Sequence, residues 1–189
     1  GSQTLATILS DSEAEVDAWS NNTKPFGVKI LLYNSNNPAI VYTTDCLKAD
    51  TTFNLNTNDY FAQAVRSGKL SVSFGKNDVT GHTRIYLTSD MRMKSPYKIG
   101  LEYQADEEID LRVWECSQAS SFQSYGMKGF TDGSDKCSIS DMATGHYTIS
   151  VGSCVNRNFH TTCYGDKVRD TYAAIGTISS FSSYGVDVN

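Results

Sequence analysis

The sequence predicts an all-β protein: an antiparallel β-sandwich or jelly roll, followed by a second strand system of different character. Three observations carry this. Short runs that alternate apolar with polar residues recur along the first two thirds of the chain, with turn residues between them. Tyr and Phe are abundant, 11 and 8, against only 3 Pro, and aromatic rings pack well on a pleated surface. Only one short stretch offers a helical face.

Taken in order, Gln3 to Trp19 mixes acids with small apolar residues and has no sustained helical face. Gly1 stands where Met would and reads as a scar of tag removal, so residues 1–17 are expected to be a linker and tag remnant. The turn cluster Asn21-Asn22-Thr23-Lys24-Pro25 then leads into a strand from Phe26 to Tyr33, in which Phe26, Val28, Ile30 and Leu32 share a face. A second turn, Asn34 to Pro38, returns the chain as Ala39-Ile40-Val41-Tyr42. The helix is expected after Asn58 as its N-cap, with Asp59 in the first turn, Phe61, Ala62 and Val65 on one face, and Gly68 as the left-handed C-terminal residue. Further strands follow at Leu70–Phe74, Arg84–Leu87, Tyr97–Tyr103 and Ile109–Trp114. Evenly spaced short strands with almost no helix between them are the pattern of a sandwich or jelly roll. Glycines, serines and acids dominate after Tyr125, and a different strand, His146 to Gly152, begins beyond Asp141. The boundary is therefore expected near Met142, with a sandwich over 18–142 and a separate segment over 143–189.

Composition excludes several classes of function. The net charge is -5, so there is no basic stripe to neutralise phosphates and no nucleic-acid partner is expected. No apolar run approaches the roughly 20 residues of a membrane helix, so no membrane span is expected. The five cysteines, Cys46, Cys116, Cys137, Cys154 and Cys163, leave an odd thiol. Cys154 and Cys163 flank a polar stretch whose hairpin they could close, although a reduced pair is almost as compatible with the spacing. The run Cys154, His160, Cys163 lacks a fourth ligand and matches no zinc spacing, so no metal site is expected. His82 reads as an exposed turn residue. The acidic run Asp106-Glu107-Glu108-Asp110 reads as a solvated turn. Trp19, Trp114 and the tyrosines are candidates for a sugar-stacking platform, with core packing an equal account of Trp114.

The C-terminal third carries a resemblance. Tyr147-Thr148-Ile149-Ser150-Val151-Gly152-Ser153, followed by Ile178-Ser179-Ser180-Phe181-Ser182-Ser183-Tyr184-Gly185, resembles the subtilisin-like (S8) serine peptidases of bacterial type. In that family a core strand ending in Val-Gly-Ala precedes a Ser-Phe-Ser-Ser-x-Gly segment. Here Ser153 replaces the Ala, Val186 stands where Pro is common, and the loop from Cys154 to Thr177 is longer. The preceding region is similar to the jelly-roll insertion that some bacterial subtilases carry between the oxyanion-hole Asn and the catalytic Ser. Ala18-Trp19-Ser20 ahead of Pro25-Phe26-Gly27-Val28, and Ile109 to Trp114 leading to Phe130, carry that second likeness.

The resemblance implies a fragment of a secreted or cell-envelope endopeptidase: a jelly-roll insertion plus strands from a subtilase α/β core. The family's Asp, His, Asn and Ser match nothing in this sequence, so no catalytic, cofactor-binding or metal residue is assigned. The fragment is expected to be inactive alone. Its expected partners are the remainder of the parent catalytic domain and the parent's protein or peptide substrates. Calcium is the one cation the family suggests for the parent, and Asp132-Gly133-Ser134-Asp135 with Asp141 carry suitable oxygens. Their spacing is not that of a calcium loop, and a polar turn is the expectation. Ile149, Val151, Ile178 and Phe181 are expected to belong to a core missing from this chain, so that they pair with the sandwich, swap between chains or stay mobile. The alternative function is a carbohydrate-binding or adhesive β-sandwich, and a third is a purely structural surface module.

Overall fold

The computed structural model describes residues 4–53, 59–117, 119–134, 153–169, 174–179 and 182. They are almost entirely β and divide into two compact units, Gly1–Gly133 and Ser134–Asn189.

In the first unit the strands are β1 (Thr4–Leu9), β2 (Glu13–Ser20), β3 (Phe26–Asn34), β4 (Ala39–Thr43), β5 (Thr51–Phe53), β6 (Val65–Ser67), β7 (Leu70–Lys76), β8 (Thr83–Asp90), β9 (Arg92–Met93), β10 (Tyr97–Ala105), β11 (Leu111–Glu115) and β12 (Phe122–Gln123). Two five-stranded antiparallel sheets result, ordered β12-β1-β10-β3-β4 and β11-β2-β8-β7-β5; β6 and β9 form a small ribbon. The sheets pack as a sandwich around one core. Val28, Ile30, Ile99 and Leu101 from the first sheet meet Val16, Ala18, Leu70, Val72, Ile85 and Leu87 from the second. Early strands pair with late ones in β1–β10, β3–β10, β2–β8 and β2–β11, while β3 and β4 form a plain hairpin. β7 and β8 form a second hairpin, and β5 reaches β7 after α1 and β6.

Residues 4–17 are not a linker. β1 pairs with β10 and β12, and β2 with β8 and β11, so both lie inside their sheets. The alternation in β2 is complete, with Ala14, Val16, Ala18 and Ser20 buried and Glu13, Glu15, Asp17 and Trp19 facing outward.

The first sheet is buried on both faces near its centre. Phe26, Val28 and Ile30 enter the inter-sheet core, while Leu31 and Tyr33, 1% and 2% exposed, lie on the opposite face beside Ala6 and Ile8, 4% and 0% exposed. Two-sided burial explains why Ile30-Leu31-Leu32-Tyr33 is a continuous apolar run rather than an alternating one. Tyr125, in the loop after β12, stacks on Tyr33 with centroids 5.4 Å apart. Lys98 Nζ lies over the Tyr125 ring and donates to the Ser10 carbonyl at 2.6 Å.

Helix α1 (Asp59–Ala64) is a single short segment that seats Phe61 against Phe53 and Tyr42. It ends earlier than expected, because Val65 opens β6. Gly68 does adopt φ +89°, but at the turn from β6 into β7 rather than at a helix end. A Cβ there would stand 2.3 Å from the Asp90 carbonyl oxygen. Asn58 lies outside the described residues.

The first unit closes at Gly133, nine residues before the expected boundary at Met142, which lies outside the described residues. The reason is backbone pairing: Thr131 N donates to Ala6 O at 2.8 Å and Gly133 N to Phe122 O at 2.8 Å, so the chain stays bonded to the sandwich through 133. The second unit contains the hairpin β13 (Phe159–Thr161) and β14 (Lys167–Arg169) and an antiparallel bridge between Cys154 and Ile178. The expected strand His146 to Gly152 lies outside the described residues, as do Ile149, Val151 and Phe181.

Candidate functional site

The outer face of the second sheet gathers the chemically richest side chains. Strand register sets them out as a grid. Across β11, β2, β8 and β7 one row reads Arg112, Trp19, Arg84, Gly75, and the next reads Trp114, Asp17, Tyr86, Ser73. Below them Glu15 pairs with Thr88 and Thr88 with Ser71. The chain has two tryptophans, and both stand on this face, half-buried and outside the inter-sheet core.

Two hydrogen-bonded pairs and the cation–π contacts between them fix Trp19 and Tyr86. Arg84 forks onto Asp17, with Nε–Oδ1 at 2.7 Å and Nη2–Oδ2 at 3.0 Å. Its guanidinium carbon lies 5.2 Å from the centre of the Trp19 ring and 4.7 Å from that of Tyr86, within the range of cation–π attraction. The Tyr86 hydroxyl donates a short hydrogen bond to Glu15 Oε1. The Asp17 fork raises the Arg84 pKa further. The hydrogen bond to Glu15, then desolvation, pushes the Tyr86 phenol up to about 12. The Arg112 side chain is exposed and has no hydrogen-bond or ion-pair partner among the described residues. Burial first, then Asp17, Glu15 and Glu115, raises the thiol pKa of neighbouring Cys116, which leaves it a poor nucleophile at neutral pH. On the β7 side Ser71, Ser73 and Gly75 are small, and nothing lies within 4 Å of a Cβ placed at Gly75. The rings therefore stand beside a low floor. Gly75 and Arg84 also border a cleft of about 290 Å³ lined by Phe26, Cys46, Lys48, Phe74 and Asp106.

Trp114 belongs to this face, so core packing is not its role. His82 closes the expected turn but is half-buried rather than exposed: its carbonyl accepts from Asn77 N at 2.9 Å and its amide donates to Thr80 Oγ1 at 3.3 Å. In the acidic run, Asp106 and Glu107 reach Lys48 at 3.5 Å and Lys24 at 2.7 Å. Asp132 Oδ1 accepts from Ser124 N at 2.6 Å, which makes it a turn residue; Asp135 and Asp141 lie outside the described residues. His160 is exposed on β13. Cys154 and Cys163 are exposed free thiols, as Cys116 is, and Cys46 is free and half-buried. The β13–β14 hairpin is closed by backbone pairing, with Cys163 in its turn and Cys154 outside it. Among the described residues no three of His, Cys, Asp and Glu gather as a metal site.

In the second unit the two described ends of the sequence pattern meet. Ser179 N donates to Ser153 O at 3.0 Å and Val155 N to Thr177 O at 2.8 Å. Ser153 Oγ lies 2.9 Å from Ser179 Oγ, and Ser182 Oγ accepts from Ser153 N at 3.0 Å. Ile178 is 59% exposed. No helix among the described residues is long and apolar enough to cross a membrane. No family model matches the chain, and searches of curated proteins and of solved structures return no match.

Proposed function

We propose that the chain is an accessory β-sandwich insertion of a secreted subtilisin-like serine endopeptidase, inactive by itself, with its last segment returning to the parent catalytic core. The observation that carries this reading is the adjacency of the chain's way into and out of the sandwich. Ala6 of β1 bridges Phe130 in parallel, with Thr131 N on Ala6 O at 2.8 Å. Entering and leaving segments one strand apart suit a module spliced into a host loop, with the parallel sense placing the exit a few residues farther along β1.

A second observation supports the subtilase part. The segment opening at Ser153 and the Ile178-Ser179 segment pair antiparallel through Cys154 and Ile178. Ser153 closes the first half on which the family resemblance rests and Ile178-Ser179 opens the second; Tyr147 to Gly152 lie outside the described residues. The sandwich would then act by packing on the catalytic core and shaping substrate access, with calcium as the parent's candidate ion.

The test has two arms. Sequence flanking this segment in its gene is expected to supply His-Gly-Thr upstream and Gly-Thr-Ser-x-Ala downstream. The full-length product is expected to react with a fluorophosphonate serine-hydrolase probe, and this chain is not. Flanks lacking both motifs would end the proposal.

A further inference from the structure

We infer that the outer face of the second sheet is a binding platform for a neutral polysaccharide, read by Trp19, Trp114 and Tyr86 with Arg112 and Glu15 supplying hydrogen bonds. The inference does not depend on the protease reading. Large aromatic rings are normally the core's best material, yet both tryptophans are placed outside the core, on adjacent strands of one face. Tyr86 and Trp114 flank Asp17 in one row across three strands, so their backbones stand about 10 Å apart at the usual strand spacing. Trp19 lies diagonally from Trp114, about 7–8 Å away by backbone. Flat C–H faces of successive pyranose rings can rest on such a surface while their hydroxyls reach side-chain donors and acceptors.

Charge selects the class of ligand. Around the rings three carboxylates, Glu15, Asp17 and Glu115, face two guanidiniums, Arg84 and Arg112, so the platform offers no net attraction to a polyanion. Arg84 is committed to Asp17 and to the rings it crosses; it is a positioning residue, as is Glu15 through its bond to Tyr86. Arg112 and the second Glu15 oxygen supply the remaining donor and acceptor. Preorganisation of this kind lowers the ordering cost of binding, and the low floor of Ser71, Ser73 and Gly75 leaves room beside the rings for an extended chain.

The test uses the whole chain. Both tryptophans lie on the platform, so titration with soluble neutral polysaccharides (hydroxyethylcellulose, xylan, galactomannan) is expected to shift or quench intrinsic fluorescence. The same polymers are expected to retard the chain in affinity electrophoresis, little affected by salt. Trp19→Ala and Trp114→Ala are each expected to weaken retardation about tenfold or more, with circular dichroism and melting unchanged enough to show a folded chain. Arg112→Ala, at an exposed position, is expected to weaken it less. Three results would overturn the inference: no response to any neutral polymer, preferential retardation by polygalacturonate that salt abolishes, or sedimentation showing that a second copy covers the face.

Discussion

Two-sided burial of the first sheet makes a quantitative prediction at Ile30 and Leu31. They are chain neighbours on opposite faces, 0% and 1% exposed. A strand with one dry and one wet face would tolerate truncation on the wet side, whereas here Leu31→Ala is expected to cost as much as Ile30→Ala. Burying a Leu or Ile side chain contributes about 1.5–3 kcal/mol by area. The cavity left by truncation raises the loss to about 2–5 kcal/mol. A central loss of about 3 kcal/mol corresponds to about 6–12 °C in Tm for a chain of this length. Urea unfolding of each variant, followed by far-ultraviolet circular dichroism and fitted with a common m-value, gives the two costs directly. If Leu31→Ala costs under about 1 kcal/mol while Ile30→Ala costs the full amount, the outer face is open in solution and the reasoning from burial fails.

Other outcomes follow from local chemistry. Gly68→Ala places a Cβ 2.3 Å from a backbone oxygen at φ +89°; it is expected to lower stability by about 2 kcal/mol or more in the same urea assay, beyond the roughly 1 kcal/mol of left-handed strain alone. A double-mutant cycle on Asp17→Asn and Arg84→Gln should give a coupling of about 1 kcal/mol or less, given partial exposure, and it should shrink with added salt. The phenols of Tyr86 and Tyr103 are both held neutral in the fold, Tyr86 chiefly by its bond to Glu15 and Tyr103 by burial. Because the folded pKa exceeds the free value, their contribution is intact below about pH 10 and is lost as pH rises through about 12 for Tyr86 and higher for Tyr103. Tyrosinate absorbance of the folded chain should show late-titrating phenols, and Tyr86→Phe should remove one of them.

Much of the sandwich was legible because β3, β7, β8 and β10 pair strong alternation or apolar runs with Asn, Pro and Gly turns. β2 was not, although its period is perfect. Its inward residues are Ala14, Val16, Ala18 and Ser20, too small to announce a buried face beside three acids. Gly68 was correctly a left-handed residue but was attached to the wrong element, since Val65 could close a helix or open a strand and its pairing with Met93 decides. Trp19 and Trp114 were visible as candidates one at a time. Their neighbourhood, and the Arg84–Asp17 fork that spans 67 residues, exist only once β11, β2 and β8 are in register. Sequence periodicity carries no information about which strands become neighbours.

The placement of β1 between β10 and β12 also governs how the chain can fold. Its partners arrive late: Thr4 to Ile8 pair with Gly100 to Gln104, and Thr7 Oγ1 bonds to Thr131 O across 124 residues. A nascent chain therefore holds its first strand unpaired until most of the first unit has left the ribosome. Such high contact order belongs to the slow end of single-domain folding. Through that interval the run Ile30-Leu31-Leu32-Tyr33 awaits β10, its main partner, and presents an apolar strand edge until residues 97–105 follow.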